Sequence, residues 1–323
     1  MVFFVTFLRA LAACLITNAH YTGIYPTDLI ANGGLIGDVL FFAVSGYCLY
    51  NIKLSFPKWY FKRIIRVYVP VWIISLVFLI LGCFTLEDRS LLYYFVYPTD
   101  YHFVASIILL YIPFYIVCRL DWTRKRIPQV MLAVAGAMLI VYLFIYDKSY
   151  YHIDTVREPF IRFLFFESML LGAYFKKNDL RFRNQFSFRW VALTVASLGC
   201  YFVSKIVFSK VESLSELQIV NQLLIFALLY CLFRLFSGLD EKLEKMPVWI
   251  CRSISFVAGM TLEIYVVQYV LIDALRSAAI FPLNWIIVTG SILLCALALH
   301  LVCKLFYGIG AILPIKHNIQ NRE

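Results

Sequence analysis

Apolar residues in this chain form long runs that are separated by short polar segments. An α-helix needs about 17–25 mostly apolar residues to cross a bilayer. Runs of this length predict ten transmembrane helices, at residues 2–20, 35–52, 67–85, 102–119, 128–146, 160–176, 190–208, 218–236, 255–275 and 284–304. The expected fold is therefore an all-α, polytopic membrane helix bundle. No connecting segment is long enough for another domain, so we expect residues 1–323 to form one integral membrane domain without an appended soluble domain.

The composition excludes several classes of protein. Hydrophobic residues make up 63% of the chain and charged residues 15%, whereas an average soluble domain is about 45–50% apolar and about 25% charged. Such a chain cannot cover itself with a solvated surface, which excludes a soluble enzyme, a disordered segment and a fibrous repeat. The net charge of +10 comes from short basic clusters between apolar runs. This pattern indicates orientation in a membrane and not nucleic-acid binding.

The basic residues also predict which loops face the cytoplasm. If both termini are cytoplasmic, the inner loops and ends hold 22 of the 29 lysines and arginines, and the outer loops hold seven. This distribution follows the positive-inside rule each time the predicted loops change from the inner to the outer side. The first apolar run lacks a preceding basic segment and a small-residue cleavage site, so we interpret it as the first span and not as a removable signal peptide.

Cysteine spacing and motif searches give no sign of a metal or a disulfide framework. The nine cysteines lie scattered through apolar segments without a CxxC pair, which is typical of small buried hydrophobic residues. The chain also has no glycine-rich phosphate loop and no HExxH or GxSxG motif. We therefore predict no metal cofactor.

Charged and titratable side chains within the apolar runs are the candidate functional residues, because each costs about 2.5–3.5 kcal/mol to insert. Arg9 and His20 are 11 residues apart, close to three helical turns, so they share one helix face about 16 Å apart along the axis. We expect Arg9 near the inner surface and His20 nearer the outer one, both facing the interior. Alternatively, Arg9 extends to the membrane surface and His20 is a hydrogen-bonded interfacial histidine.

A second candidate is the basic cluster before the third predicted span. Arg63 and Arg66 are three residues apart on one helix face, where two guanidiniums could clamp a phosphate or pyrophosphate from the cytoplasm. The alternative is a basic anchor that contacts lipid headgroups.

Other polar positions have supporting roles in this interpretation. Ser45 and Gly46 form a small patch in the second span that permits close helix approach. Glu167 and Glu263 are carboxylates at membrane depth and are expected to pair with Arg9 or another buried cation. His300, at the end of the tenth span, is interpreted as an interface residue.

Taken together, these residues resemble the acyltransferase-3 family of bacterial membrane acyltransferases. Members of that family carry an arginine in the first helix with a histidine eleven residues later, as Arg9 and His20 do. The other matching parts are the FF-x-x-SG stretch from Phe41 to Gly46, the R-x-x-R motif of Arg63 and Arg66 with Pro70, and the segments HFVASIILLYIPFY, FLFFESMLLGAYF and Thr261 to Tyr265. The resemblance covers nearly the whole chain.

The sequence departs from the family pattern at several positions. Val39 stands where the family often has aspartate, with Asp38 displaced by one residue. Gln268 replaces a common histidine, and His102 replaces a common tryptophan. Some relatives carry an esterase-like soluble domain, and we expect none in this sequence.

The resemblance implies a membrane O-acyltransferase of the bacterial inner membrane. It would move an acyl group, expected to be acetyl, from acyl-CoA to a hydroxyl of a surface polysaccharide or its lipid-linked precursor. His20 would be the general base or a transient acyl carrier, and Arg9 would stabilise negative charge or fix the donor. Arg63 and Arg66 would hold the phosphates of CoA, with supporting roles for Glu167, Glu263 and Ser45. The expected partners are acyl-CoA, the glycan acceptor, membrane lipids and glycan-assembly proteins, without nucleic acid.

A different class of protein also fits ten helices with buried charges, namely a transporter or flippase of lipid-linked saccharides. Transporters often consist of two related halves with broken helices. The sequence has no such duplication, and its polar residues concentrate in the first third of the chain. These features favour the enzyme.

Overall fold

A computed structural model describes residues 2–87, 89–97 and 101–312, with side chains as far as Tyr307. Within these ranges the protein is all-α, with fifteen α-helices, one 3-10 helix at Glu212–Leu217 and no strand. The α-helices are α1 (Phe3–Ala19), α2 (Gly34–Leu49), α3 (Phe56–Ile80), α4 (Leu91–Phe95), α5 (His102–Arg119), α6 (Asp121–Lys125), α7 (Ile127–Phe144), α8 (Ile161–Lys177), α9 (Asp179–Phe182), α10 (Phe188–Lys210), α11 (Ile219–Gly238), α12 (Asp240–Glu244), α13 (Val248–Gly259), α14 (Thr261–Leu275) and α15 (Leu283–Ile312).

Each of the ten predicted segments contains helix, which confirms the all-α fold. Among the described residues, six helices are long and apolar enough to cross a membrane, namely α3, α5, α7, α10, α11 and α15. The helices α13 and α14 are bent by 72° at their junction and together would make a seventh span. The helices α1 and α2 are apolar but only 17 and 16 residues long. The count of ten spans and the cytoplasmic side of the termini therefore stay predictions.

Helix α3 differs from its predicted position. It begins at Phe56, 11 residues before the predicted start of the third span, and Pro57 occupies its first turn. Proline is favoured there because the first helical N–H groups lack partners and the ring presets the backbone angle. Arg63 and Arg66 consequently lie inside α3 and not in a loop ahead of it.

The centre of the molecule is a close contact between α2 and α8. A Cβ atom on Gly46 would overlap the backbone carbonyl of Met169, and a Cβ on Gly172 would overlap the carbonyl of Ala43. Glycine at both positions therefore lets the two backbones touch, as small residues do at helix interfaces in membranes. This contact confirms the prediction that the small patch at Gly46 permits close approach.

Helix α1 is fixed at its N-terminal end by a carboxylate from a distant part of the chain. The backbone N–H of Phe4 donates a hydrogen bond of 2.7 Å to Oδ1 of Asp240, which is buried and is the first residue of α12. This bond satisfies one of the N–H groups that a helix leaves unpaired in its first turn. The guanidinium of Arg183 lies 3.9 Å from Oδ2 of Asp240 and also pairs with Asp179. Asp179 in turn accepts a 2.6 Å hydrogen bond from the Tyr47 hydroxyl of α2.

The other end of α1 is tied to α15. The hydroxyls of Tyr21 and Thr289 are 2.8 Å apart, and the Asn284 amide donates to the carbonyl of Ile24 at 3.1 Å. Because α1 is held at both ends, the residues between them keep a defined height and rotation within the bundle.

Candidate active site

One face of α1 carries Arg9, Ala13, Ile16 and His20, at spacings of four, three and four residues. Such spacings place side chains in a row along a helix. Ala13 and Ile16 line a cavity that therefore lies between Arg9 and His20 on their shared face. Its other walls come from α1, α2, α5 and α14, through Thr17, Phe41, Phe103, Thr261, Leu262, Ile264, Tyr265 and Gln268. The cavity measures about 10 Å³, which is close to the smallest space that holds one water molecule.

His20 follows the last residue of α1 and closes the outer end of this row. Its imidazole packs edge-on against the ring of Tyr269 on α14, with 4.6 Å between ring centroids and 65° between ring planes. The side chain is partly exposed and makes no hydrogen bond to any described residue. The carboxylate of Asp273, one turn beyond Tyr269, acts on the imidazole electrostatically. A partly exposed imidazole without a hydrogen-bond partner is available to accept a proton.

Arg9 lies at the other end of the row and faces α2. Its Nη2 donates to the Sγ of Cys48 at 3.4 Å. Arg63 of α3 acts electrostatically on the same cysteine, and its Nε is buried without a partner. Arg66, one turn further on, is exposed. We call Arg9, Cys48, Arg63 and Arg66 the basic mouth.

The described residues place no negative charge next to the basic mouth. Within the described part of the chain, no carboxylate lies within 4 Å of its three guanidiniums. The guanidinium of Arg63 lies over the Trp59 ring, 6.0 Å from its centroid, with Tyr111 as an electrostatic neighbour, and neither residue supplies a negative charge. Three arginines without counter-ions form a site suited to an anion with several charges, such as a phosphate group.

The supporting carboxylates lie elsewhere. Glu263, in the first turn of α14, pairs with His300 of α15, with 2.7 Å between Oε1 and Nδ1. The structure thus gives His300 a carboxylate partner, and the hydrogen bond of Glu263 does not go to Arg9 or His20. Glu167 is buried on α8, and its Oε1 has no partner among the described residues. Ser45 is partly exposed on α2.

The structure places at the site three residues to which the sequence analysis gave no role there. Tyr265 and Tyr269 of α14 are four residues apart and turn their rings towards the site, where Tyr265 lines the cavity and Tyr269 contacts His20. Asp38 is buried on α2 and acts electrostatically on both tyrosines. The helical spacing of the two tyrosines was visible in the sequence, but nothing local indicated that α14 packs against α1.

A buried hydrogen bond joins the two walls of the cavity. The Thr17 hydroxyl donates to Oε1 of Gln268 at 2.7 Å, across 251 residues of sequence. The Gln268 Nε2 is buried without a partner. We call this pair the Thr17–Gln268 bond.

Comparison with protein families identifies this arrangement. The model of the acyltransferase domain family matches residues 2–303, nearly the whole chain. The chain belongs to the acyltransferase-3 family. This result confirms the resemblance to that family, and it supports a membrane acyltransferase. A comparison with curated proteins and another with solved structures found no match.

Across the described ranges, no group of three or more His, Cys, Asp or Glu side chains is placed to hold an ion.

Proposed function

We propose that this acyltransferase-3 protein moves an acetyl group from acetyl-CoA to a hydroxyl of a surface polysaccharide or its lipid-linked precursor, in the bacterial inner membrane. The observation that carries the proposal is the row along α1, which has an arginine at one end and an unpaired imidazole at the other, while Ala13 and Ile16 between them line a cavity. CoA is confined to the cytoplasm by its charge, whereas the glycan is displayed outside. A bundle with cationic groups at one end and a base at the other suits that division.

The basic mouth is the proposed donor site. Arg63 and Arg66 bind the phosphates of CoA, and Arg9 lies between them and the cavity. The buried Nε of Arg63, which has no partner, supports this role because a guanidinium pairs well with phosphate oxygens. Arg9 and His20 are separated by about 16 Å along α1, as 11 residues at about 1.5 Å each give. The pantetheine arm of CoA therefore spans this distance, and the nucleotide stays at the mouth.

His20 is the proposed general base. It takes the proton from the acceptor hydroxyl as the oxygen attacks the thioester carbonyl, and the resulting oxyanion collapses with loss of the CoA thiolate. The proton on His20 then passes to the thiolate, so charge and atoms balance. The ring of Tyr269 packs against the imidazole and orients it.

The cavity must widen for this reaction, because about 10 Å³ holds a water molecule and not a thioester. The Thr17–Gln268 bond joins the walls that have to separate. We therefore assign it as the contact that keeps the donor passage closed when CoA is absent.

The base assignment is tested by His20→Ala. We expect loss of acetyl from surface polysaccharide, measured by NMR on cells with equal protein levels. Thr22→Ala is the matched control, because Thr22 is exposed two residues further on and outside the row. Normal acetylation by His20→Ala would refute the assignment.

The donor site is tested without turnover by alkylation of Cys48, which is exposed within the basic mouth. In a variant that keeps Cys48 alone, CoA should slow alkylation, whereas dephosphorylated pantetheine should not. A variant that keeps only Cys83, which is exposed elsewhere, is the control. Arg63→Ala and Arg66→Ala should abolish protection, but Lys62→Ala should not. The two arginines serve as a membrane anchor if CoA fails to protect Cys48 from alkylation. The same conclusion follows if CoA protects Cys48 as well in the arginine variants as in the parent.

A further inference from the structure

A second and much larger cavity lies between α5, α6, α7 and α8, away from the candidate active site. Its volume is about 620 Å³, which falls within the range of about 300–1,000 Å³ typical of ligand pockets. Most of its wall is apolar and includes Val130, Ala133, Val134, Ala137, Phe163 and Phe166. We call it the α7–α8 groove.

The dimensions of the α7–α8 groove match the hydrocarbon part of a single lipid. Its wall on α7 runs from Arg126 to Ala137, and 11 residues at about 1.5 Å each give about 16 Å. The hydrocarbon core of a bilayer is about 30 Å thick, so one leaflet contributes about 15 Å. The small side chains of Ala133 and Ala137 leave the space that an acyl chain would occupy.

A partly unsatisfied arginine borders the α7–α8 groove. Arg162, in the first turn of α8, donates through Nη2 to the Tyr97 hydroxyl at 3.1 Å. Its Nε is buried and has no acceptor among the described residues. A buried donor without an acceptor is costly, and a phosphate oxygen is a strong acceptor for a guanidinium. No described carboxylate lies within 4 Å of this guanidinium.

Arg126 borders the other end and differs from Arg162 in its surroundings. It is exposed, and its guanidinium stacks over the Trp122 ring at 5.3 Å from the centroid. An exposed arginine is hydrated and does not need a ligand. Arg162 lines the groove and is only partly exposed, so its charge gains more from a bound anion than the hydrated charge of Arg126 does.

We propose that the α7–α8 groove holds one anionic membrane phospholipid, with its phosphate on Arg162 and its acyl chains along the alanine side of α7. The guanidinium of Arg162, the apolar wall and the length of about 16 Å along α7 each match a different part of that molecule. This site is separate from donor and acceptor binding, so it stands or falls independently of the proposed function.

The test measures lipid retained by the purified full-length chain in a nonionic detergent. Native mass spectrometry would count bound phosphatidylglycerol during a titration, with zwitterionic phosphatidylcholine as the comparison lipid. Arg162→Gln removes the phosphate contact, and Arg157→Gln is its control because Arg157 is exposed in the preceding loop. Ala137→Phe fills the α7–α8 groove, and Leu132→Phe is its control because Leu132 is 74% exposed on α7 and does not line the groove.

We expect the parent protein to retain one phosphatidylglycerol per chain and to retain phosphatidylcholine less well. Arg162→Gln should weaken phosphatidylglycerol binding about tenfold or more, which is the loss expected for a hydrogen bond to a charged group. Ala137→Phe should weaken it similarly, and both controls should bind like the parent. The proposal is overturned if both groove variants retain phosphatidylglycerol normally, if the two lipids bind equally, or if the extracted protein carries a polyprenyl phosphate there instead. Normal thermal stability of Ala137→Phe shows that a loss of lipid does not come from misfolding.

Discussion

The Thr17–Gln268 bond offers the sharpest test of how α1 and α14 enclose the cavity. Thr17→Val removes the hydroxyl that donates at 2.7 Å but keeps the shape of the side chain. The Gln268 Oε1 then has no partner, in addition to the Nε2 that already lacks one. An unsatisfied buried polar atom costs about 1–3 kcal/mol, so we expect Thr17→Val to lower the apparent melting temperature in detergent.

The double variant Thr17→Val with Gln268→Leu separates the hydrogen bond from its desolvation cost. Replacing both partners with apolar groups of similar shape is often nearly neutral, so the double variant should be more stable than Thr17→Val alone. The net value of such a bond within a membrane is about 0.6–2 kcal/mol, which corresponds to a factor of roughly 3–30 in an equilibrium constant.

That factor should reappear in donor binding if the bond keeps the passage closed. Protection of Cys48 from alkylation would then require about 3–30-fold less CoA in Thr17→Val than in the parent, and the double variant should resemble the parent. Ser75→Ala is the control, because Ser75 is buried on α3 and lies outside the cavity wall. Unchanged CoA protection in folded Thr17→Val would show that the bond is structural only and that the passage opens elsewhere.

Three further variants test the supporting structure. Gly172→Ala should destabilise the protein by about 1–3 kcal/mol, because the added Cβ overlaps the Ala43 carbonyl. Gly136→Ala is the control and should not destabilise it, because Gly136 has open space around it. Equal melting temperatures of the two variants would refute the close contact. Asp240→Ala should lower stability by about 1 kcal/mol through loss of the hydrogen bond from Phe4, and Asp240→Asn should largely restore it in thermal unfolding. Glu263→Leu should lower the free energy of unfolding by about 1–3 kcal/mol, because it leaves His300 without its hydrogen-bond partner. Glu263→Gln keeps an acceptor for His300 and should be more stable. Equal unfolding of the two variants would contradict the pairing.

Sequence patterns predicted the helices well because membrane helices follow from local hydrophobicity. Residues 128–146, for example, correspond to α7 at Ile127–Phe144. The ninth predicted helix was treated as one span, but the structure divides it at Met260 and bends it by 72°. Both halves are apolar, so the break leaves no trace in a hydrophobicity pattern.

The candidate site was predictable only where its residues lie on one helix. The shared face of Arg9 and His20 follows from helical periodicity alone. The partners of these residues come from far along the chain, with Cys48 on α2 and Tyr269 on α14. The pairing of Glu263 with His300 likewise depends on how α14 packs against α15. Such contacts are set by tertiary packing, which neither spacing nor composition encodes.

The glycine contact between α2 and α8 determines which wall of the active site is able to yield. The backbones of α2 and α8 touch at Gly46 and Gly172. Because no side chain between them can rearrange, these two helices form a rigid unit. Any widening falls to α14, which follows a sharp bend and meets α1 through Thr17, Gln268 and aromatic rings. Amide hydrogens of α14 should therefore exchange with deuterium sooner than those of α2. The active site would then open for catalysis by movement of α14 against the fixed helix α2.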